Sequence, residues 1–322
     1  MDFQLSEDQS ALVSALQAIL EDHADIPQSE RFASFWSQAG LQDQLEAMGF
    51  LDAARDMGPV EAALVIYETA KVVGAVETIG RGLVAPLACP GLAVSGPVAL
   101  VRRADLGRAI RNLPVAGMVL VEDGEDVLAL ERDGDGVEPV ESILAYPYGR
   151  FTEAPALDKA RRFSGAAAQM RKWWRVGLAA EIAGAATAAI DFTIEYARNR
   201  VAFGRPIGSF QSVQHRLVQR HGYAKSAYYL AMRAAWSGEE IDADVAACHA
   251  QSGIRELMFD LHQFNGGMGM TNEHLLHFWI YRVRALQAET GGPTAAALEI
   301  ADERWNDGHS AMAKPQLSVA GS

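Results

Sequence analysis

The 322-residue sequence predicts a mainly α-helical protein with a small β insert near its middle. Three observations carry that reading. Apolar residues recur at spacings of three and four in the first part of the chain, and the same period returns in its second half. Between these parts stand short apolar runs bounded by glycines and acidic residues, the pattern of strands joined by turns. The expected division is an N-terminal helical bundle over 1–112, an abbreviated central β domain over 113–156 and a helical bundle over 157–322.

Ser6 followed by Gln9 makes a capping box, and Leu12, Leu16, Ile19 and Leu20 lie behind it on one helical face. Residues 45–51 and the alanine-rich stretch 60–78 read as further amphipathic helices that belong to the core. Arg102, Arg103, Arg108 and Arg111 are expected on a helix before the strands. The apolar runs 115–121 and 126–130 predict strands, with a turn at 134–136 and Val137–Val140 after it. Arg161, Arg162, Arg171 and Lys172 open the C-terminal part. Both basic groups read as solvated faces or as contacts to an anionic ligand or a partner. A helix over 184–200 carries Ala186, Ile190, Ile194 and Ala197. A second carries Phe210, Val213, Leu217, Ala224, Tyr228 and Ala231, and Gly204, Pro206 and Gly208 break the period between them. A third runs through Ile254, Leu257, Met258 and Leu261.

Composition narrows the function. The chain is 49% hydrophobic and 21% charged, enough apolar residues for a large core over two or three domains. Apolar runs such as 115–121 are far short of a membrane span, and the first twenty residues carry acids without a basic start. A cytoplasmic protein that neither crosses a membrane nor carries a secretory signal is expected. Cys89 and Cys248 stand far apart, which argues against a disulfide framework or a zinc site and for core packing. A formal charge of −13 argues against nucleic-acid binding, which needs a concentrated basic face. A di-iron bundle would need paired Glu-x-x-His motifs that do not occur. No metal site is expected: His215, His221 and His262 read as polar core or interface residues, and Trp173 and Trp174 as packing anchors. Residues 307–322 read as a loose tail.

The segment from Arg200 to His215 joins two helices through a glycine- and proline-containing turn. An arginine at a helix end offers a planar fork that matches pyrophosphate oxygens, and glycines let a ligand approach the backbone. Gln211 then enters the next helix in its first turn, where free N–H groups favour anions. Further on, Gln263 precedes the glycines Gly266, Gly267 and Gly269, and its amide both donates and accepts.

These residues resemble the acyl-CoA dehydrogenase family. Its pattern R-x-x-F-G-x-x-I-x-x-F-Q is matched at Arg200, Phe203, Gly204, Ile207, Phe210 and Gln211, and its Q-x-x-G-G-x-G at Gln263, Gly266, Gly267 and Gly269. The opening Met1 to Gln9 is similar to the family's first helix. The resemblance implies an N-terminal helical bundle, a central β domain and a C-terminal four-helix bundle. It implies FAD as cofactor, held by Arg200, Phe203, Gly204, Gln211, Gln263, Gly266, Gly267 and Gly269 across a subunit interface.

Departures from the family carry information as well. Between residues 84 and 114 nothing resembles the part of the β domain that covers the flavin ring and the thioester, so the chain is expected not to complete a flavin site alone. The family removes the proton α to the thioester with a glutamate while hydride from the β carbon goes to the flavin. Counting forward from Arg282, which matches an arginine of the family's penultimate helix, puts Gly291 at one position of that base. Counting back from Gly266 puts Ser252 at the other. Neither is acidic, and the nearby Glu289 and Glu256 read as solvated helix-end carboxylates. The resemblance therefore implies a catalytically incomplete short subunit without a base of its own. It would pair with a longer acyl-CoA dehydrogenase subunit as a heterotetramer, two of each, of the type found in steroid catabolism. An acyl-CoA would be the substrate and an electron-transfer flavoprotein the acceptor. Two alternatives stay open: a self-sufficient homo-oligomer using Glu289 or Glu256, and a non-catalytic helical scaffold.

Overall fold

A computed structural model describes residues 3–133 and 135–305. Met1 and Asp2 of the opening motif, Gly134 of the expected turn and the expected tail 307–322 lie outside the described residues.

The N-terminal part contains α1 (Glu7–Asp22), α2 (Ala39–Ala47), α3 (Ala53–Asp56), α4 (Pro59–Thr69) and α5 (Ala85–Ala88). The capping box forms as expected: Ser6 Oγ accepts from the Gln9 N–H, and Gln9 Oε1 accepts from the Ser6 N–H. Leu16, Ile19 and Leu20 are then turned into the core. The helical period over 60–78 predicts one long helix, yet α4 stops at Thr69. Tertiary partners replace the helical ladder beyond it. Arg282 donates to the carbonyls of Ala70, Val72 and Gly74 at 2.8, 2.8 and 2.9 Å, and the Trp279 indole N–H donates to Lys71 at 2.9 Å. Ala75 bonds to the chain at Trp36 and Gln38. Both terminal nitrogens of a buried guanidinium thus donate to carbonyls at and beyond the helix end, while its Nε is left without a partner among the described residues.

Seven strands follow: β1 (Val98–Arg102), β2 (Ile110–Arg111), β3 (Met118–Asp123), β4 (Asp126–Glu131), β5 (Val137–Val140), β6 (Tyr148–Phe151) and β7 (Arg161–Phe163). One sheet has the order β1-β3-β4-β7, with β1 and β3 parallel, and the other has the order β2-β6-β5. The helix expected around Arg102 to Arg111 is not there. Val98 to Arg102 pair along β3, and Arg103 and Arg108 lie in the following turns; Arg102, Arg103 and Arg108 form ion pairs with Asp105, Asp123 and Asp105. The strands run from Val98 to Phe163, outside the expected 113–156 on both sides. Alternation along β3 explains the arrangement: Met118 and Leu120 join the main core, while Val119 and Val121 join a smaller core with Ala99, Val101 and Leu128. The second sheet packs Ile110, Val137 and Phe151 on that smaller core.

The C-terminal part holds α6 (Ala167–Asn199), the hairpin β8 (Val201–Ala202) and β9 (Arg205–Pro206), then α7 (Gln211–Ser237), α8 (Glu240–Ser252), α9 (Ile254–Asn265), α10 (Leu276–Leu286) and α11 (Gly292–Trp305). The 33-residue α6 is the axis of the fold, in contact with α4, α7, α8 and α10. By length and composition it is apolar enough to cross a membrane, which the sequence reading did not anticipate. Most of it is buried inside the protein, as a core helix is. Trp173 and Trp174 are buried on it, as expected of packing anchors. The architecture is the one expected: N-terminal helices, central sheets and a C-terminal helical bundle.

Candidate functional site

The first motif forms a tight β-hairpin. Val201 pairs with Pro206 and Ala202 with Arg205, which leaves Phe203 and Gly204 as a two-residue turn with φ of +56° and +81°. A two-residue turn with left-handed φ at both positions is natural for Gly204 and costly for Phe203. The Phe203 side chain is 94% exposed, and its ring stands edge-to-face with Phe210 at 6.3 Å between centroids. Strained backbone that holds a large apolar ring in water is the arrangement of a contact made to another molecule.

The hairpin, the end of α6, the start of α7 and the end of α9 surround a cavity of about 860 Å³. Five of the eight expected residues line it: Arg200, Phe203, Gln263, Gly266 and Gly267. The other three do not. Gly204 sits in the hairpin turn, Gln211 is exposed in the first turn of α7, and Gly269 is buried behind the turn that follows α9. Gly266 ends α9 at φ 57° and ψ −147°, which a residue with a Cβ rarely adopts. Among the described residues, the Arg200 guanidinium and the Gln211 and Gln263 amides have no side-chain hydrogen bond or ion pair. The wall also offers Asn265, which donates to Thr193 Oγ1 at 2.9 Å and to Leu261 O at 2.8 Å, while its buried Oδ1 has no partner. Tyr196 and Phe264 supply aromatic walls that sequence reasoning missed. Tyr196 was legible as the residue one turn before Arg200 on the same helical face. A free guanidinium, free amides and flat apolar walls suit a ligand that joins phosphates to an aromatic ring system.

A second cluster occupies the cleft between the sheets and α6, next to the turn that holds Gly291, one of the two expected base positions. Glu289 is not a solvated carboxylate, contrary to the sequence reading. Arg111 donates from Nε to Glu289 Oε1 at 2.5 Å and from Nη2 to Oε2 at 3.1 Å, and the Trp174 indole N–H donates to Oε2 at 3.0 Å. Arg111 also lies 3.5 Å from Glu181, whose other oxygen accepts from the Tyr146 hydroxyl at 2.5 Å. Burial raises the Glu181 pKa, opposed by Arg111. Burial also pushes Tyr146 well above its usual range, with Glu181 adding to the effect. Burial works against charge on Arg111, yet Glu289 and Glu181 together hold its pKa well above the usual value. One signal of this cluster was available, because Glu181 is a lone acid inside the apolar run from Leu178 to Ala186. Its partners were not legible, Arg111 being brought from β2 and Tyr146 from the segment between β5 and β6.

Of the remaining base positions, Gly291 lies in that same turn with φ 90°, and Ser252 donates to the Cys248 carbonyl at 2.6 Å at the end of α8. Glu256 is exposed on α9, as expected. His215 and His221 are exposed rather than part of the core, and His262 is half-buried beside the Gly269 carbonyl.

Comparison with known proteins adds to this geometry. Residues 165–305 match the family model of the acyl-CoA dehydrogenase C-terminal domain. Acyl-CoA dehydrogenase IpdE2 of Mycolicibacterium smegmatis is 26% identical over 311 residues, 90% of this chain and 96% of the relative. Acyl-CoA dehydrogenase FadE34 of Mycobacterium tuberculosis is 30% identical over 216 residues, 63% of this chain and 30% of the relative. Among solved structures, butyryl-CoA dehydrogenase from Megasphaera elsdenii superposes with a TM-score of 0.73 at 20% identity, over 94% of this chain and 99% of that one. The ChsE4–ChsE5 complex from Mycobacterium tuberculosis gives 0.71 at 20% identity, over 94% and 98%. A variant of the Tcur3481–Tcur3483 steroid ACAD gives 0.71 at 22% identity, over 92% and 97%. These likenesses establish the shared fold.

Proposed function

We propose, starting from the match of residues 165–305 to the acyl-CoA dehydrogenase C-terminal domain, that this chain is one subunit of an FAD-dependent acyl-CoA dehydrogenase. Its part is to complete a flavin site built mainly by a different subunit. The observation that carries this reading is the hairpin pocket: an unpartnered Arg200, the unpartnered Gln263 beside Gly266 and Gly267, and Phe203 held outward at a strained φ. The residues present fit the cofactor. Arg200 would bind the pyrophosphate and Gln263 the adenosine side, with the glycines keeping that wall free of side chains. Phe203 would cover the ligand where the partner closes over it. FAD supplies the two-electron acceptor for α,β-desaturation of the thioester. This chain's residues bind and orient it; they remove no proton.

The second half of the reading is the absence of a working base. Glu289 is engaged by three donors, and a carboxylate tied to a guanidinium is poorly placed to take a substrate proton. The longer partner subunit would supply the glutamate, in a two-plus-two heterotetramer. A steroid-derived CoA ester is the substrate class favoured by the likeness to the steroid ACAD, and an electron-transfer flavoprotein is the acceptor. The site is assigned to the cytoplasm.

The test is flavin content of the complex co-purified with its partner. Wild type should carry two FAD per heterotetramer, and Arg200→Ala should lose a charge-assisted contact worth roughly 1.5 to 3 kcal/mol, cutting occupancy about tenfold or more. Equal flavin in both, or a flavin-replete homotetramer of this chain alone, would sink the reading.

A further inference from the structure

A second groove lies on the other side of α9 from its glycine end, and the flavin reading does not use it. It is a cavity of about 780 Å³ between α7, α9 and the end of α10. Four arginines from three helices face it: Arg216 and Arg220 from α7, Arg255 from α9 and Arg284 from α10. Against them stand two carboxylates, Asp260 and Glu256. On a chain with a formal charge of −13, such a concentration of positive charge is unusual.

The four guanidiniums are not equivalent. Asp260, largely buried, pairs with both Arg216 and Arg220, which fixes two of them in place. Among the described residues Arg284 bonds only to the neutral Gln287 amide, at 2.7 Å. Arg255 has no ion pair or side-chain hydrogen bond among the described residues, and neither does Glu256. Two cations are therefore unneutralised beside two that are held rigidly. The ring of Phe259 is 65% exposed at the same groove, with the Arg216 guanidinium 5.6 Å from its centre. Arginine forks bind phosphate oxygens, and an exposed aromatic ring beside them offers a stacking surface for a base.

We infer that this groove binds the adenosine-phosphate end of a nucleotide, with Arg255 and Arg284 on the phosphates and Phe259 under the base. That chemistry has two sources here, a CoA thioester or a dinucleotide such as FAD. Arg216 lies on the wall shared with the hairpin pocket, so the groove and that pocket need separate controls. The inference stands on the groove alone and does not depend on the flavin reading.

The experiment is calorimetric titration of the full chain with CoA, FAD, ADP and pyrophosphate. Wild type should bind CoA or FAD, and the probe weakened by the Arg255→Ala/Arg284→Ala variant identifies the source. That weakening should be about tenfold or more, because both side chains are exposed and their removal spares the fold. Arg200 lines the hairpin pocket and not the groove, so Arg200→Ala should weaken only FAD held in that pocket and leave CoA, ADP and pyrophosphate binding at the groove unchanged, which separates the two. Phe259→Ala should weaken ADP but not pyrophosphate. The inference is overturned if no phosphate probe binds at millimolar concentration. It also fails if the double variant binds as wild type, if only Arg200→Ala reduces binding, or if Phe259→Ala leaves ADP untouched.

Discussion

Arg111 grips Glu289 through two nitrogens, at 2.5 and 3.1 Å, across 178 positions of sequence. Both side chains are largely buried, 9% and 15% exposed, and Glu181 completes the cluster at 3.5 Å from the same guanidinium. The grip ties β2 to the turn before α11 and fills the cleft in which a catalytic carboxylate was sought.

Removing the cation should destabilise the chain strongly. Arg111→Met leaves Glu181 and Glu289 buried without their counter-charge, an expected loss of about 3 to 5 kcal/mol. Glu289→Gln should cost less, since Arg111 keeps Glu181. Combining Arg111→Met with Glu289→Leu should recover part of the loss, because the unpaired charge goes with it. Denaturant midpoints of the three variants check the order; equal losses would mean that the pair is solvated in solution.

Turnover should not depend on either candidate glutamate. Glu289→Gln and Glu256→Gln are expected to change acyl-CoA oxidation per bound flavin by no more than a few fold in the complex with the partner. A positioned base is worth typically 10²- to 10⁴-fold, or about 3 to 5.5 kcal/mol. A thousandfold drop in either variant, with flavin retained, would restore the self-sufficient enzyme as the better reading.

Phe203 separates stability from function. Phe203→Gly relieves a left-handed φ of +56°, so the isolated chain should be as stable as wild type or more stable by about 1 kcal/mol. The complex should hold flavin less tightly, because burying a phenylalanine side chain contributes about 1.5 to 3 kcal/mol. Unchanged flavin dissociation in Phe203→Gly would remove this residue from the site.

Alkaline pH should unfold the protein through its buried phenols. Burial raises the pKa of Tyr146 and Tyr148 above the usual 10.0. Above about pH 10 the unfolded chain releases these protons while the native chain keeps them, so the native state binds more protons and stability falls as pH rises. The contribution is fully present below pH 10 and is lost above it. Absorbance at 295 nm should show tyrosinate appearing together with loss of helical circular dichroism. Ionisation of both phenols at pH 10 in a folded chain would contradict the burial.

The sequence by itself determined the helical ends and the hairpin motif. Period, caps and turn residues are local quantities, and a match such as Arg200, Phe203 and Gly204 is written in neighbouring positions. It also named Gln263, Gly266 and Gly267, which line one pocket with Arg200 and Phe203, and Gly204, Gln211 and Gly269, which do not. Local pattern failed where long-range partners decide. It carried α4 through to residue 78, since it could not see Arg282 capturing the carbonyls after Thr69. It gave a helix to Arg102–Arg111, since a five-residue strand with a parallel neighbour leaves a weak signature beside a cluster of arginines. It put Glu289 in solvent, because an acid near a helix end has that appearance until the fold brings Arg111 and Trp174 to it. Only tertiary structure could decide the fate of that carboxylate: pairing and burial depend on which distant side chains share its cleft, and those three residues lie on three separate elements.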